Sequence, residues 1–287
     1  MPDRYVATPA PRAALLTIVL AIVGVVLAGC QTQPAPPTPV SLPSPERLFG
    51  LDLEPIAEPV LLRYRPAEHL AFRATRELVA RARGATVLSQ RDEVVALLHL
   101  KEAGEGLLRL TATFSVLRAD ATPELDVEPF QFVGLITDLG EVREGDWLFS
   151  ETDRLTQPQM VRVVDALGDM WPLGRWPDLA VTPEQAQIFN RIGAAAPSRL
   201  QFELRGSRYR NGERALVFTF AAAPDFAEAA ASRRFEELSG VTVAGYFAVD
   251  PELGFVTDFA TRMNGAMRVA GDRVTFTVAT QGVILRP

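Results

Sequence analysis

Between Leu70 and Ala82 the side chains alternate in character. The even positions are Leu70, Phe72, Ala74, Leu78, Ala80 and Ala82, broken only by Arg76, while the odd ones include Arg73, Thr75, Glu77 and Arg81. A period of two places one set of side chains on each face of an extended chain, the pattern of a half-buried β-strand. A helix competes for this stretch, because Pro66, Glu68 and Gly84 stand where helix start and stop signals belong. The strand is the preferred reading.

The same rhythm returns with turn signals between the runs. Val94 to Lys101 and Leu107 to Leu117 flank Glu102-Ala103-Gly104-Glu105-Gly106, which reads as a hairpin. Phe130 to Thr137 leads into Asp138-Leu139-Gly140 and a return from Glu141. Leu200 to Tyr209 joins Arg214 to Ala222 across Asn211-Gly212, a pair suited to the positive φ angles of tight hairpin turns. Val241 to Val249 turns at Asp250-Pro251-Glu252-Leu253-Gly254 into Phe255 to Met263, and Arg273 to Thr280 follows Gly271-Asp272.

The middle of the chain reads as helical. Pro158 to Leu167 is closed by Gly168, and Thr182-Pro183-Glu184-Gln185 has capping-box form, with Gly193 as its stop. A third helix is expected over Asp225 to Leu238. The stretch from Met170 to Pro177 holds too much proline for a regular element. The fold expected is mainly β (α+β): a curved antiparallel sheet or incomplete β-barrel with a mid-chain helical insert over its open side.

The first thirty residues read as an address. Arg4 and Arg12 form a basic start, Ala13 to Gly29 is an uncharged, mostly apolar run, and Leu27-Ala28-Gly29-Cys30 follows. A basic start, an apolar core and small residues before a cut are the marks of a secretory signal. A membrane-spanning helix is the competing reading, but seventeen residues sit at the short end of its range, and no charge follows Arg12 until Glu46. The Leu-Ala-Gly-Cys run resembles the lipobox of bacterial lipoproteins. That resemblance implies cleavage before Cys30, the only cysteine, and acylation of its thiol and new amino terminus. Gln31 in the next position implies the outer membrane ahead of the inner, on the periplasmic side.

Residues 31–47 contain six prolines and no aromatic residue, too little apolar surface to fold. At about 3.1 Å per residue they would give a spacer of roughly 50 Å. The domains expected are thus a signal peptide over 1–29, lipidated Cys30 with its tether over 30–47, and one β-rich periplasmic domain over 48–287.

Composition removes several functions. A net charge of −6 disfavours a nucleic-acid binder, which needs a basic face to neutralise phosphates. One cysteine excludes an internal disulfide framework, and two histidines leave little for a metal site. No Gly-x-Ser-x-Gly elbow, paired-histidine zinc motif, Walker loop or Gly-x-Gly-x-x-Gly run is present. His69 and His99 read as ordinary hydrogen-bonded residues. Asp138, Asp146, Asp165 and Asp169 are candidates for a hydrolytic carboxylate pair, but nothing in their spacing brings two together. The chain is therefore expected to be no enzyme and to need no cofactor.

All three tryptophans, Trp147, Trp171 and Trp176, fall within thirty residues. They suit either plain packing over the open side of the sheet or the rim of a ligand site. Phe114, Phe218, Phe220, Phe247 and Phe276 alternate within strands and suit either a cavity wall or a filled core. Trp171, Trp176, Phe114, Phe218, Phe220 and Phe276 are the candidate ligand-binding residues.

The strand phrases Phe72-Arg73-Ala74-Thr75, Leu108 to Phe114, Leu135 to Val142 and Gly245 to Asp250 with Leu253-Gly254-Phe255 resemble uncharacterised lipoproteins of the LolA/LolB-like superfamily. The resemblance spans about Tyr64 to Leu285. It implies a curved, incomplete barrel with helices over its open side, and an acyl chain, lipid or other apolar molecule as ligand. It assigns no site residue. The alternative function is a structural lipoprotein that docks onto an envelope protein complex, binds no small molecule and shows an exposed apolar patch around Trp171 and Trp176.

Overall fold

The computed structural model describes residues 44–119, 130–141, 148–149, 174–183, 187–191, 200–210, 212–222, 239–269 and 271–286. Among these, one helix, α1 (Pro45–Phe49), precedes twelve strands. These are β1 (Ala67–Ala82), β2 (Ala85–Gly104), β3 (Leu107–Ala119), β4 (Phe130–Thr137), β5 (Leu148–Phe149) and β6 (Gly174–Arg175). They continue as β7 (Gln187–Arg191), β8 (Leu200–Arg210), β9 (Glu213–Ala222), β10 (Ser239–Val249), β11 (Val256–Val269) and β12 (Asp272–Leu285).

All strands pair antiparallel, in the order β5-β4-β3-β2-β1-β12-β11-β10-β9-β8-β7-β6. The first and last long strands pair with each other, and the sheet is not closed by a ladder between β5 and β6. The expected open, mostly β architecture is what forms. The alternation of β1 is realised: Leu70, Phe72, Ala74, Leu78 and Ala80 are buried on the inner face. Side chains from β2, β3, β8, β9 and β10 enter one apolar cluster, so the sheet curves far enough for its two arms to meet.

Two expectations change. Gly84 does not stop a helix. With Arg83 it forms a two-residue hairpin turn, φ 51° and 81°, pairing Ala82 with Ala85. Residues 187–191, expected inside the helix opened by the Thr182 capping box, instead form β7, with Gln187, Ile188 and Phe189 opposite Phe202, Gln201 and Leu200. Capping is a local signal of about a kcal/mol, and an unpaired strand edge on β8 offers backbone partners that outweigh it. Gly174–Arg175 likewise forms a short strand within the proline-rich stretch. The helices expected over 158–167 and 225–238 lie outside the described residues, as do Cys30, Trp147 and Trp171.

The described residues include the end of the segment whose composition reads as tether. Ser44 caps α1 through a 3.3 Å bond from the Arg47 N–H, and Gly50 closes it in the left-handed region at φ 62°. From α1 onward the chain straps the outer face of the sheet. Phe49 meets the Tyr246 ring edge-on at 5.3 Å, Glu46 pairs with Arg205 at 2.7 Å, and Glu54 exchanges two 2.8 Å backbone bonds with Ser207. Leu51 and Leu53 pack on Ala215, Val217 and Ala248.

Candidate functional site

Among the described residues the inner face carries one polar row. Thr261, Thr280, Arg76 and Asp92 stand directly opposite one another on β11, β12, β1 and β2. Arg76 donates from Nε and Nη2 to Asp92 Oδ2 at 2.8 and 2.5 Å, and Gln90 Nε2 donates to Asp92 Oδ1 at 2.9 Å. Arg76 is 5% exposed and Asp92 1%. The Gln90 Oε1 atom is buried without a hydrogen-bond partner. Breaking a charge pair taken out of water is costly, so this row disfavours any other register of β1 on β2.

On one side of the row lies the larger apolar cluster, and loop residues enter it. Trp176 follows β6 directly and is buried among Tyr64, Phe218 and Phe247, with ring centroids 6.0, 6.2 and 6.2 Å away. Its indole N–H donates to the Gly254 carbonyl at 2.9 Å, which satisfies the one polar atom the ring brings inside. Its backbone N–H donates to the Leu139 carbonyl at 2.8 Å, and Arg175 pairs with Glu141. The chain after β6 is thereby tied to the turn after β4 without a strand ladder.

The segment ahead of β1 completes this plug. Tyr64 N–H donates to the Asp138 carbonyl at 2.7 Å, Arg65 N–H to Leu253 at 3.1 Å, and Val60 and Val181 exchange backbone bonds of 2.9 and 2.8 Å. Leu62, Tyr64, Trp176 and Val181 all lie in the larger cluster.

On the other side of the row, Leu78, Ala80, Val241, Met263, Met267, Val274, Phe276 and Val278 form a second cluster. Every one of these residues belongs to a strand. Three glycines on the inner face each face a phenylalanine on the next strand: Gly245 opposite Phe220, Gly265 opposite Phe276, and Gly282 opposite Phe259. In each pair the Phe ring lies where a Cβ on the glycine would stand. Ring over glycine brings backbone and aromatic close together, and the missing side chains ease curvature of the sheet.

The described candidates thus fall into distinct places. Trp176 and Phe218 are in the plug, with Phe218 stacked on Phe247 at 4.9 Å. Phe114 is in the larger cluster beside the β2–β3 pairing, while Phe220 and Phe276 lie over glycines on opposite sides of the row. Trp176, 2% exposed, forms no part of an exposed apolar patch. Asp138 sits in the turn after β4, 3.4 Å from Arg63; Asp146, Asp165 and Asp169 lie outside the described residues. His69 and His99 meet edge-on at 4.8 Å, and the His69 backbone N–H donates to His99 Nδ1 at 3.3 Å. Among the described residues no group of His, Cys, Asp or Glu side chains is placed to hold a metal ion.

Sequence reasoning passed over Asp92 and Gln90. Arg76 was visible as the break in an apolar row, and Gln90 and Asp92 interrupt the matching row of β2.

The outer face has its own polar group beneath the strap. Asp258 accepts from Tyr246 Oη at 2.9 Å, pairs with Arg210 at 3.1 Å and with Arg208, and Arg208 lies 5.0 Å over the Tyr246 ring. Burial pushes the Tyr246 phenol above its ordinary range, and the Asp258 charge pushes it the same way. For Arg208, burial pulls downward but the Asp258 charge and hydrogen bond outweigh it and raise the guanidinium.

No family model matches this chain, and no curated relative matches it. Lipovitellin, in a structure describing its lipid–protein interactions, aligns over 78% of this chain and 25% of its own, at 11% identity and a TM-score of 0.44. The chain thus spans a quarter of that protein's length. A LolA superfamily protein from Nitrosomonas europaea aligns over 76% of this chain and 87% of its own, at 9% identity and TM-score 0.17. LprF from Mycobacterium bovis aligns over 74% and 84%, at 9% identity and TM-score 0.21.

Proposed function

We propose that this protein is a non-enzymatic, lipid-anchored component of the cell envelope that holds an acyl chain or other apolar ligand against the inner face of its open sheet. The anchor is the acylated Cys30, and Gln31 favours the periplasmic side of the outer membrane.

One observation carries the ligand reading. The second inner-face cluster, built around Met263, Met267 and Phe276, draws all its described members from strands, whereas the plug residues belong to the other cluster. Methionine side chains are flexible and polarisable, which suits a surface that must fit an irregular apolar partner. The polar row borders this cluster on the side that faces the plug.

The test is native mass spectrometry with solvent extraction on the full chain carrying Cys30→Ser, so that no covalent lipid is mistaken for a ligand. A discrete adduct released by organic solvent is expected, and Met263→Arg should abolish it. A bare mass across repeated preparations overturns the ligand reading and leaves an envelope docking protein. The anchor is tested separately: labelled palmitate should enter the natural chain and not the Cys30→Ser variant.

A further inference from the structure

We infer that a second feature, at the end of the sheet where the plug sits, receives the anionic head of an amphiphile whose stem is apolar; this rests on the apolar-ligand reading above. A cleft of about 220 Å³ opens between the β8–β9 turn, the β10–β11 turn and the end of β12. Its rim carries Arg210, Arg214 and Arg286, and its floor includes Leu70, Phe255 and Ile284. Those three floor residues belong to the larger inner cluster, so the cleft joins that core to the surface.

Three guanidinium groups face two acids among the lining residues, Glu213 and Asp250, a local excess of one positive charge on a chain whose net charge is −6. The acids are committed. Asp250 Oδ1 accepts the backbone N–H groups of Glu252 and Leu253 at 2.8 and 3.0 Å, which fixes it in its turn, and its other oxygen pairs with Arg286. Glu213 also pairs with Arg286, at 3.1 Å, and Arg210 is held by Asp258 at 3.1 Å. Arg214 makes no ion pair with any described acid. It is the cation left to answer an incoming anion, beside two guanidinium groups already held in place.

Each guanidinium carries five N–H donors in a planar fork that matches a carboxylate or a phosphate, and one or two acid contacts do not exhaust them. The volume is many times that of a water site yet below the ~300–1,000 Å³ of pockets that enclose a whole ligand. It suits a head group with a short length of stem. Both a fatty carboxylate and an alkyl phosphate present that chemistry: an oxyanion on hydrocarbon.

Isothermal titration of the full chain carrying Cys30→Ser tests this with four probes: dodecanoate, dodecyl phosphate, dodecanol and inorganic phosphate. One-site binding of dodecanoate or dodecyl phosphate is expected, weakened by added salt, and the tighter of the two identifies the head. Arg214→Gln should weaken it at least tenfold, with Arg214→Lys recovering part of the loss. Arg262→Gln, an exposed change on β11 outside the cleft, should leave it unaltered. Circular dichroism melts check that each variant folds. Dodecanol binding as tightly as the anions, or indifference to Arg214→Gln, overturns the inference while the wider apolar-ligand reading stands. Inorganic phosphate binding as tightly as the dodecyl anions overturns the apolar stem. If none of the three dodecyl probes binds, the wider reading fails with it.

Discussion

On one side of the Thr261–Thr280–Arg76–Asp92 row, aromatic side chains borne on loops descend onto the sheet; on the other, the described apolar side chains all rise from strands. Both sides come from the same alternating strands, and β1 contributes Phe72 and Ala74 to one and Leu78 and Ala80 to the other. The alternation therefore sets which face is apolar. What then happens to that face depends on distant segments: Tyr64 from the chain ahead of β1, and Trp176 from the chain after β6. One half of the face is joined to the rest of the fold by named backbone bonds from loops. The other half draws its described apolar side chains from strands alone, and phenylalanine rings lie over glycine on both sides of the row.

The contrast is broken most severely by removing the plug. Trp176→Ala should cost about 3–5 kcal/mol, because it deletes a buried ring and leaves the space empty. Urea unfolding would read it, and a loss below about 1 kcal/mol would mean that Trp176 is not the keystone of that half. The row itself comes next. Asp92→Ala removes the buried carboxylate that accepts two Arg76 N–H bonds and should cost roughly 3–5 kcal/mol, whereas the Arg76→Met, Asp92→Leu double variant should recover most of it. A double variant as unstable as the single one would show that the pair contributes more than mutual neutralisation.

Gly282→Ala tests the ring-over-glycine pairs. The new methyl meets the Phe259 ring, so a cost of about 1–3 kcal/mol is expected. Pairing it with Phe259→Leu should give some of that back, and additive costs would refute the contact. In the strand-borne half, Met263→Leu keeps volume and should cost under ~1.5 kcal/mol. Its sharper effect should be on any bound apolar adduct, since it trades an adaptable side chain for a branched one.

The outer face supplies the smallest effect. The Tyr246 phenol has a folded pKa raised above the ordinary value of about 10, so the fold favours its neutral form. Its stabilising contribution is whole below the unfolded pKa and is lost as pH rises through the folded one. Stability measured from neutral pH into the alkaline range should therefore fall less steeply in Tyr246→Phe than in the natural chain. Equal slopes would exclude Tyr246 as the titrating group.

Most of the sheet was legible because its information is local. The hairpins β2–β3, β8–β9 and β10–β11 are each written as two alternating runs with glycine between them. What was hidden required a partner at a distance. Thr182-Pro183-Glu184-Gln185 carries a helix signal in its own residues, and only the pairing of β7 with β8 overrides it. Arg76 stood out from its row, but its pairing with Asp92 depends on the Arg83-Gly84 turn, and Gly84 alone fits a helix end as well as a hairpin. Trp176 was identifiable as a large aromatic with two suitable roles. Its place in the plug is decided by carbonyls at Leu139 and Gly254, each far from it along the chain.

The pairing of β1 with β12 has a consequence for how the sheet is assembled. Each other ladder joins strands that are consecutive in the chain, while this one brings Ala71 opposite Leu285. Local hairpins close quickly, and a contact spanning nearly the whole chain pays its loop entropy before any ladder energy returns. Joining the ends through a linker and opening the chain between β5 and β6 would turn the same twelve strands into a meander in which every neighbour is consecutive. Such a circular permutant should keep the sheet and refold faster, because its longest-range ladder has become a turn.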